Sequence, residues 1–565
     1  MGSGLRRAVL CAVALVGLVT SACGSSGSTP PSNAATPQQD GASPPVGVDA
    51  SVASDAATGA LADAATTTPG PVSQDAAVVG ADESAVTLPV GDAAPASDAA
   101  VHPTDAGPVA PAGDGGVGWD TVPAILARIV PPTFPNVDCV LTDMKYGGVG
   151  DGTTDNTAAF ASAIQDCSSR GGGRVVVPAG TFFTGPIVLL SKINLFLAGP
   201  TSVIKFTTDP MKYLPVVEVS FEGTLIMNYH PLISANGATD IAITGTGTLE
   251  GNATASDWYA PMWTAMSFDQ APRIDNQMHK LPVSSRVYGD GHFLRPSLIE
   301  FMHCHNILLD GFTAQHSPFW TIHPVMSDNI TGTNLKIIGT VGNTDGFDPE
   351  SCVDVLLKNL TIQVGDDSIA IKAGRDLDGR TLYTPSKNIV IQNCQLSTGN
   401  PGHGGAVAIG SEMSAGVSNV YEENVTYTTG VNGGLQSQAI YLKGSIYRGG
   451  YIHDFYARNL TVDQISTFIW VNGQYGDTAP AGRPTAFIDI NNINVDGATV
   501  NAVTGGAFWL TGADATRPET NIHFSNIKVV SGAALGAGRV AHYSGLTTTN
   551  VTVAGAPFTP PATAP

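Results

Sequence analysis

Short stretches of alternating apolar and polar residues, each flanked by asparagine or aspartate, recur along the second half of the chain. The paired flanking positions are Asn329 and Asn334, Asp354 and Asn359, Asn388 and Asn393, Asn419 and Asn424, Asp454 and Asn459, and Asn521 and Asn526. The alternation has the period of two that is typical of β-strands, with valine and isoleucine facing inward. The units recur first at about 25 residues and later at about 30 to 35, which indicates a solenoid.

This pattern predicts an all-β fold, a right-handed single-stranded parallel β-helix. Asparagine at each corner can adopt the left-handed conformation and stack its amide on the next coil. Helical repeats would instead need apolar residues at three-to-four spacing over ten or more positions, and this region does not have that spacing. An amphipathic helix at 155–167, with Phe160 and Ile164 on one face, is predicted to cap the N-terminal end. Irregular insertions at 251–295 and 374–387 are predicted to build a binding cleft.

The N-terminus has the pattern of an export signal. Arg6 and Arg7 precede an apolar run at 8–19, and Cys23 follows two small residues. We predict a signal peptide at 1–22, because this apolar core is too short to span a bilayer. Cys23 resembles the acylated cysteine of bacterial lipoproteins, although Thr20 is less usual at its position. The protein is therefore expected to be exported as an outer-membrane or cell-surface lipoprotein, or alternatively secreted, with membrane contact only through a lipid at Cys23.

Residues 23–118 differ in composition from the rest of the chain. They are rich in alanine, proline, serine, threonine, glycine and aspartate, and no lysine or arginine occurs between Arg7 and Arg128. Such a segment cannot bury enough apolar surface to offset its ordering entropy, so we predict a disordered tether. It supplies roughly half of the formal net charge of −21. This acidity argues against a nucleic-acid partner. Residues 119–565 are predicted to form one domain, the β-helix.

Five cysteines lie in this predicted domain: Cys139, Cys167, Cys304, Cys352 and Cys394. Export permits disulfides, and the odd number leaves at least one cysteine free or paired outside the chain. Cys139 with Cys167 is the predicted pair, since it would attach the start of the domain to its first helix.

The candidate chemistry begins with three aspartates. Asp345 lies in an NTDGFD motif at 343–348, and Asp366 and Asp367 follow one predicted coil later. Like charges that are crowded on one sheet push their pKa values apart, so that one acid stays protonated while others stay ionised. One proton donor and one water-activating carboxylate form the machinery of an inverting glycoside hydrolase, with the two groups about 6.5–9.5 Å apart. Acids on neighbouring coils also sit close to one another, so a shorter separation with a shared water is the alternative. The alternative is that 343–346 is only a turn, since Asn, Asp and Gly favour turns.

Two further polar residues fall in phase with these acids. Adjacent residues on an ideal strand point to opposite faces, so Asp366 and Asp367 can both act only if the chain bends, which Gly365 permits. His403 lies in a glycine-rich run on the next coil and Lys443 on the coil after. An isolated histidine or lysine is usually a surface residue. Here the neighbouring apolar residues Ile371, Ile409 and Leu442 align, so the polar groups are predicted to form one stripe along the outer face.

Several motifs together carry a resemblance to a known family. They are GDG at 150–152, TDN at 154–156, VVVPAG at 175–180, SPFW at 317–320 with HP at 323–324, NTDGFD, GDD at 365–367, and GHGGAVAIGSEMS at 402–414. The domain resembles the polygalacturonases of glycoside hydrolase family 28, and residues 409–413 are most similar to exo-acting and bacterial members. The resemblance implies a pectin-lyase-like fold and hydrolysis of galacturonosyl linkages in pectic polysaccharides.

The resemblance also implies roles for individual residues. Asp366 is expected to be the general acid, Asp345 and Asp367 to position and deprotonate the water, and His403 to hold the protonation state of a carboxylate. The residues expected to contact substrate are Lys443, Tyr441, Asn343, Trp320 and Arg448. No metal or organic cofactor is implied, and the protein is expected to be a monomer.

One position departs from the family pattern. The family motif Arg-x-Lys reads Tyr441-Leu442-Lys443 here. Either Arg448 or Arg375 compensates for the missing arginine, or the substrate is not plain homogalacturonan. In the second case Tyr441 would offer its ring to a neutral sugar, and Tyr441→Arg would improve binding of polygalacturonate. Two other functions stay open: a pectate lyase, which needs calcium and an arginine base, and a non-catalytic adhesin that binds polysaccharide.

Overall fold

The structure is a computed structural model that describes residues 118–561, apart from residues 401, 431–432 and 477–483. The predicted signal peptide at 1–22 and tether at 23–118 lie outside these residues, except for Gly118. All described residues belong to one unit, Thr104–Pro565. No helix in the described part of the chain is long and apolar enough to cross a bilayer.

The described residues of this unit contain thirty-four strands and five α-helices. The strands are β1 Asp138–Val140, β2 Asp151–Asp155, β3 Gly173–Val177, β4 Gly180–Thr184, β5 Ile187–Val188, β6 Ile193–Leu197, β7 Ser202–Phe206, β8 Val217–Phe221, β9 Thr224–Asn228, β10 Ile233–Asn236, β11 Thr239–Gly245, β12 Thr248–Glu250, β13 Ile299–Met302, β14 His305–Asp310, β15 Thr313–Gln315, β16 Ile322–Val325, β17 Asp328–Thr333, β18 Lys336–Ile338, β19 Val353–Lys358, β20 Thr361–Val364, β21 Ile369–Ile371, β22 Ser386–Gln392, β23 Gln395–Thr398, β24 Gly405–Ile409, β25 Val417–Glu423, β26 Thr426–Tyr427, β27 Gln438–Lys443, β28 Tyr451–Asn472, β29 Asp489–Thr511, β30 Thr520–Ser531, β31 Leu535–Ala541, β32 Leu546–Thr549, β33 Thr552–Val553 and β34 Ala556–Pro557. The helices are α1 Val122–Arg128, α2 Thr157–Ser169, α3 Met262–Phe268, α4 Gln270–Met278 and α5 Asp376–Thr381, and short 3-10 turns lie at Gly118–Thr121, Pro210–Tyr213 and Val283–Ser285.

Successive coils pair in parallel, which confirms the predicted parallel β-helix. Among the described strands only β8–β9 and β33–β34 pair antiparallel. Ile371, Ile409 and Leu442 are directly in register on β21, β24 and β27, and all three are fully buried. The alternation of each strand therefore places one set of side chains in a continuous apolar core and the other set on the outer face.

The asparagine corners have the predicted conformation. Asn334 and Asn359 have φ values of 53° and 57°, in the left-handed region. The Asn359 side-chain amide donates to the Asn334 amide oxygen at 3.1 Å. The Asn424 amide donates to Asn393 at 3.1 Å, and the Asn459 amide to Asn424 at 3.2 Å. These hydrogen bonds between corner amides thus help to fix the distance between successive coils.

The N-terminal cap is also confirmed. Phe160 and Ile164 of α2 are 1% and 3% exposed and pack into the main core. A disulfide joins Cys139 of β1 to Cys167 of α2, with their Cα atoms 6.0 Å apart. The other three predicted-domain cysteines, Cys304, Cys352 and Cys394, are free and buried.

The two insertions contact each other. The first contains α3 and α4, and the second contains α5. Arg286 of the first forms a buried ion pair with Asp378 of the second, and the backbone N–H of Asp378 donates to the Gln277 side chain at 3.1 Å. A hairpin of β8 and β9 turns at Glu222 and Gly223, whose φ values are 45° and 71°. This hairpin was not predicted, because its strands have the same alternation as the coils.

Candidate active site

Three aspartates from two successive coils meet on the outer face of the sheet. The closest carboxylate oxygens of Asp345, Asp366 and Asp367 all lie within 4.8 Å of one another. Asp345 and Asp367 are 3% and 1% exposed, whereas Asp366 is half-buried. Their closest oxygens thus lie nearer than 6.5–9.5 Å, at the shorter separation across coils that lets the acids share one water, because parallel coils are only about 4.8 Å apart.

Glycine allows the two adjacent aspartates to reach one site. A Cβ atom on Gly365 would lie 2.1 Å from the Val341 carbonyl oxygen, so no side chain fits there. A Cβ atom on Gly404, which has φ of 68°, would lie 2.2 Å from the Asp366 carbonyl carbon. The backbone of the following coil therefore packs directly against Asp366, and the bend expected at Gly365 is present.

Asp366 and Asp367 have different surroundings. Asp366 accepts hydrogen bonds from the backbone N–H groups of Asn343, at 2.9 Å, and Asp367, at 3.0 Å. Asp367 accepts from the Gly405 N–H at 2.6 Å and forms an ion pair with the Lys443 ammonium at 2.6 Å. Asp367 is thus held beside a cation, while Asp366 contacts only neutral donors among the described residues.

Burial and mutual repulsion raise the pKa values of several of these acids. Burial, and then the charge of Asp367, raise the pKa of Asp366. Burial, and then the charges of Asp348 and Asp366, hold the pKa of Asp345 well above its ordinary value of 3.8. Burial raises the pKa of Asp348 to about 8, against the opposing effect of Lys372. Burial and mutual repulsion thus favour the protonated forms of these carboxyl groups.

Asp348 and Lys372 belong to the site but were not predicted. Asp348 is fully buried, and neither of its carboxylate oxygens has a hydrogen-bond partner among the residues that the structure describes. The Lys372 ammonium lies 3.7 Å from Asp345 and 3.2 Å from Glu412. Lys372 follows Ile371 just as Lys443 follows Leu442, so the alternation that placed Lys443 on the outer face was also the signal for Lys372.

Trp320 lies beneath the site. It is 2% exposed, stacks on Phe319 at 5.1 Å, and has the Lys372 ammonium 4.2 Å above its ring. The predicted direct contact of Trp320 with substrate is therefore wrong for this structure, because Lys372 covers the ring. Its effect on the site is to hold that ammonium group in place.

His403 does not contact the acids. It is exposed, and its backbone N–H donates to the Asn400 carbonyl at 3.2 Å. No hydrogen bond or ion pair joins its imidazole to a carboxylate in the described part of the chain. The flanking Gly402 and Gly404, with φ of 83° and 68°, turn the chain outward here. The expected hold of His403 on a carboxylate is thus not formed, and burial and neighbouring charges set the protonation instead.

Tyr441 is buried, contrary to the prediction that it faces a sugar. Leu442 points inward and Tyr441 and Lys443 share the outer face, as expected, with the Lys443 ammonium 5.1 Å from the Tyr441 ring centre. However, Tyr441 is only 8% exposed, because Trp470 is in register on the next coil and stacks on it at 4.8 Å. The ring is therefore covered by protein, and the proposal that Tyr441 tunes specificity by stacking on a sugar fails.

The two arginines expected to compensate are held by protein carboxylates. Arg448 is 2% exposed and donates to Glu412 at 2.6 Å. Arg375 is 3% exposed and lies 3.3 Å from both Glu222 and Asp376. Arg448 is therefore a partner of Glu412 and not the predicted substrate contact. Their positions in the sequence do not reveal the carboxylates that fold against them.

Arg295, at the end of the first insertion, brings a different cation to the site. Its guanidinium donates to the Asn343 side-chain oxygen at 3.1 Å and to the Pro318 carbonyl at 2.7 Å. Burial lowers its pKa to about 10, so it stays charged at neutral pH. An open cleft adjoins it, lined by Phe221, Glu222, Met262, Ala265, Gln270, Arg273, Leu294, Arg295, Phe319 and Asn343. The insertion at 251–295 thus forms a cleft wall, as predicted.

The acids could offer oxygen ligands to a metal ion, but the site already contains its own cations. Lys443 lies 2.6 Å from Asp367, and Lys372 lies 3.7 Å from Asp345. Positive charge at these positions disfavours a bound cation and favours a negatively charged ligand. The arrangement combines protonated and ionised carboxyl groups with cations that can pair with an anionic substrate, which suits acid–base cleavage of an anionic glycan.

Comparisons with known proteins agree with this chemistry. The family model described as "Glycosyl hydrolases family 28" matches residues 167–545. A "Probable polygalacturonase" of Vitis vinifera is 32% identical over 399 residues, which cover 68% of this chain and 73% of that protein. An "Exo-poly-alpha-D-galacturonosidase" of Dickeya chrysanthemi is 26% identical over 463 residues, or 76% of this chain and 74% of that protein. The crystal structure of an exopolygalacturonase from Thermotoga maritima superposes with a TM-score of 0.69 at 31% identity, covering 78% of this chain and 97% of the other.

Proposed function

The chain belongs to glycosyl hydrolase family 28 and is a glycosidase, and on that premise we propose that it hydrolyses galacturonosyl linkages in pectic polysaccharides by an inverting mechanism. The observation that carries the proposal is the cluster of Asp345, Asp366 and Asp367 beside Lys372 and Lys443. The acids supply the proton transfers, and the cations suit a substrate that carries one carboxylate on each sugar.

Asp366 is the proposed general acid. It is the half-buried member of the cluster and so can reach a glycosidic oxygen from the outer face. Its raised pKa favours the protonated form that must donate the proton. The backbone N–H of Asn343 holds one of its oxygens at 2.9 Å, which leaves the orientation of the carboxyl group fixed.

Asp345 and Asp367 are proposed to hold the attacking water. Carboxylate oxygens within 4.8 Å of each other can both accept hydrogen bonds from one water, because each O–H···O bond is about 2.7–2.8 Å long. One of the two then removes a proton as the water attacks the anomeric carbon. Attack by water itself, with no covalent intermediate, inverts the configuration. His403, which lies exposed on the next coil, is proposed to contact the bound substrate.

Cations of the site are proposed to bind the galacturonate carboxylates. Lys443 and Lys372 lie beside the acids, and Arg295 lies at the cleft wall that adjoins Asn343. Arg295 is itself 4% exposed, so it is proposed to act through Asn343, whose side-chain oxygen it holds at the cleft wall. Replacing Arg295 with lysine should raise KM for polygalacturonate about tenfold, since an ammonium group cannot bond Pro318 and Asn343 in the same planar geometry. Replacing it with glutamine should raise KM further.

Exo action is the proposed mode of cleavage. Two features support it: the helical insertion at 251–295 walls one side of the site, and the matched proteins from Dickeya chrysanthemi and Thermotoga maritima are named as exo-acting. A wall that contacts one end of the bound polysaccharide favours release of short products. Size analysis of early products from polygalacturonate tests this, since exo action gives only short products while the polymer remains long.

We further propose export with a lipid at Cys23, or secretion without it. The signal-like residues 1–22 and the small residues before Cys23 support this proposal. Mass spectrometry of the mature N-terminus decides between acylated Cys23 and a free terminus.

The decisive experiment is an assay of purified protein on polygalacturonate, rhamnogalacturonan and xylogalacturonan. Reducing ends without a rise in ultraviolet absorbance indicate hydrolysis, whereas absorbance from an unsaturated product indicates a lyase. Binding without any new reducing ends, in a protein whose Asp366→Asn variant binds equally well, indicates an adhesin. Activity on polygalacturonate alone identifies homogalacturonan as the substrate.

A further inference from the structure

The first insertion brings a methionine to the side of the proposed general acid. A Cβ atom on Gly342 would lie 3.3 Å from the terminal methyl carbon of Met262 and 4.0 Å from the Oδ2 atom of Asp366. The same oxygen of Asp366 accepts the hydrogen bond from the Asn343 backbone N–H at 2.9 Å. Met262 is half-buried, and it lines the open cleft together with Asn343. Met262 thus belongs to the part of the cleft wall that adjoins Asp366.

The space between Met262 and Asp366 is narrow. Non-bonded carbon atoms in contact are about 3.5–4.0 Å apart, so the space over Gly342 admits about one carbon atom. Glycine at position 342 keeps this space open, because any other residue would place its Cβ atom there. A substrate group can therefore enter beside Asp366 at this point only if the group is small.

The backbone that carries Met262 is held on both sides. Ala265, in the first turn of α3, is 9% exposed and packs in an apolar cluster with Phe319. Just before the helix, the Tyr259 hydroxyl donates to the Ser317 carbonyl oxygen at 2.8 Å. A methionine side chain is flexible, so its methyl group can shift slightly, but the anchored backbone keeps the thioether at the edge of the acid site.

The chemistry of the proposed substrate determines which groups come near this methionine. Polygalacturonate is 1,4-linked, so the free hydroxyl groups of an internal unit are those on C2 and C3. A general acid lies within hydrogen-bond reach of the glycosidic oxygen that it protonates. Beside that oxygen are the 2-hydroxyl of the sugar that is attacked and the 3-hydroxyl of the sugar that leaves. A wall next to Asp366 therefore faces one of these two hydroxyl groups.

An ester on that hydroxyl group would not fit. An acetyl group adds a carbonyl and a methyl group to the oxygen, whereas the space over Gly342 admits about one carbon atom. We propose that Met262 determines specificity by rejecting galacturonate units that are acetylated beside the bond to be cleaved. This inference rests on the proposed function and names the substrate class as pectic chains whose hydroxyl groups at the cleavage site are free.

The test compares kcat/KM on polygalacturonate and on the same polymer after partial O-acetylation. The wild type should prefer the unacetylated polymer. Met262→Ala should raise kcat/KM on the acetylated polymer about tenfold, because removal of the thioether widens the space beside Asp366. It should lower kcat/KM on the unacetylated polymer about twofold, because an apolar contact is lost. A residue with only a structural role would lower both values.

Three further variants serve as controls. Met262→Leu has a similar side-chain volume and should keep the wild-type preference. Gly342→Ala fills the space and should lower kcat/KM on both polymers; it should still fold, since the flexible end of Met262 can yield by a few tenths of an ångström. Met144→Ala should change neither value, because Met144 is fully exposed between β1 and β2. Equal wild-type activity on both polymers, or an unchanged preference in Met262→Ala, overturns the proposal.

A binding measurement separates this inference from the proposed function. If the wild type cleaves neither polymer, the proposed function fails, and calorimetry with unacetylated and O-acetylated oligogalacturonides tests the contact by itself. The wild type should then bind the unacetylated ligand about tenfold more tightly, and Met262→Ala should reduce that difference. Equal binding of the two ligands by the wild type, or no binding of either, overturns the proposal.

Discussion

The Lys443 ammonium lies 2.6 Å from an Asp367 carboxylate oxygen, although the two residues are 76 positions apart in the chain. Both side chains are buried, at 8% and 2% exposure. Burial lowers the pKa of Lys443, whereas the charge of Asp367 raises it, and the pKa is raised overall. Lys443 therefore stays charged at neutral pH and holds one carboxylate of the cluster on the outer face.

Lys443→Met should destabilise the fold by about 3 kcal/mol, because it leaves a buried carboxylate without its cation. The double variant with Asp367→Asn should recover most of that loss, since no charge is then left unpaired. Urea unfolding measures both. Both variants should be inactive, because the single variant lacks the cation beside Asp367 and the double variant also lacks the proposed water-binding carboxylate. A double variant as unstable as the single one would show that the pair does not determine stability here.

Asp366→Asn should lower kcat at least about a hundredfold on polygalacturonate while the protein stays folded, because the sole proposed proton donor is removed. Reducing-sugar assays measure the rate, and circular dichroism checks the fold. Asp463→Asn is the control, since Asp463 is exposed and accepts a hydrogen bond from the Thr429 hydroxyl at 3.3 Å, away from the acid cluster. Near-normal turnover in Asp366→Asn would reject the assigned role.

The first product released should have the anomeric configuration opposite to that of the bond cleaved. The reason is that Asp345 and Asp367 are placed to hold one water, so that water attacks directly. Proton NMR during the first minutes of reaction, before mutarotation, detects the anomer. A product that retains the configuration would contradict the mechanism and indicate a covalent intermediate.

Tyr441→Arg should destabilise the protein by about 2–4 kcal/mol instead of improving binding of polygalacturonate. It would place a second cation beside Lys443 and remove the stack on Trp470. Tyr441→Phe keeps the stack and should cost less than about 1.5 kcal/mol, from the lost hydrogen bond to Asn472. Thermal unfolding ranks the two. A stable arginine variant with a lower KM would restore the specificity role first expected for Tyr441.

Stability should fall as pH rises from about 6.5 to 9. His323 lies between Glu300 and Glu350; burial lowers its pKa, but the two carboxylates outweigh burial and raise it to about 9. Its stabilisation is complete below its unfolded value of 6.5 and is lost as pH rises through 9. Asp348 acts in the same direction. Its pKa is about 8 in the folded protein and 3.8 in the unfolded chain, so the folded protein binds this proton more tightly between these two pH values. Stability therefore falls as pH rises through that interval.

Asp348→Asn isolates the second contribution. Asparagine resembles the protonated carboxyl group and does not titrate, so the variant should show a shallower loss of the urea midpoint between pH 6.5 and 8 than the wild type. Asp120→Asn, at an exposed position, should keep the wild-type slope. If the two variants behave alike, Asp348 is not protonated in the native protein.

The sequence by itself determined the coil, its corners and the meeting of the acids. A period-two pattern with Asn at fixed offsets specifies both the inward face and the left-handed corners, and these are local properties. The apolar alternation also sets the register between parallel coils. It therefore predicts that Asp345, Asp366, Asp367 and Lys443 lie on one outer face.

The tertiary structure alone decided which of these side chains are accessible and which are paired. Tyr441 faces outward as its position predicts, yet Trp470 of the next coil covers it. Arg448 is occupied by Glu412, and His403 turns to solvent. Alternation gives the direction of a side chain but not what packs on it, because exposure and ion pairing depend on residues that loops bring from distant parts of the chain. The cleft wall at Arg295 comes from such an insertion, whose irregular sequence has no period from which its position could be predicted.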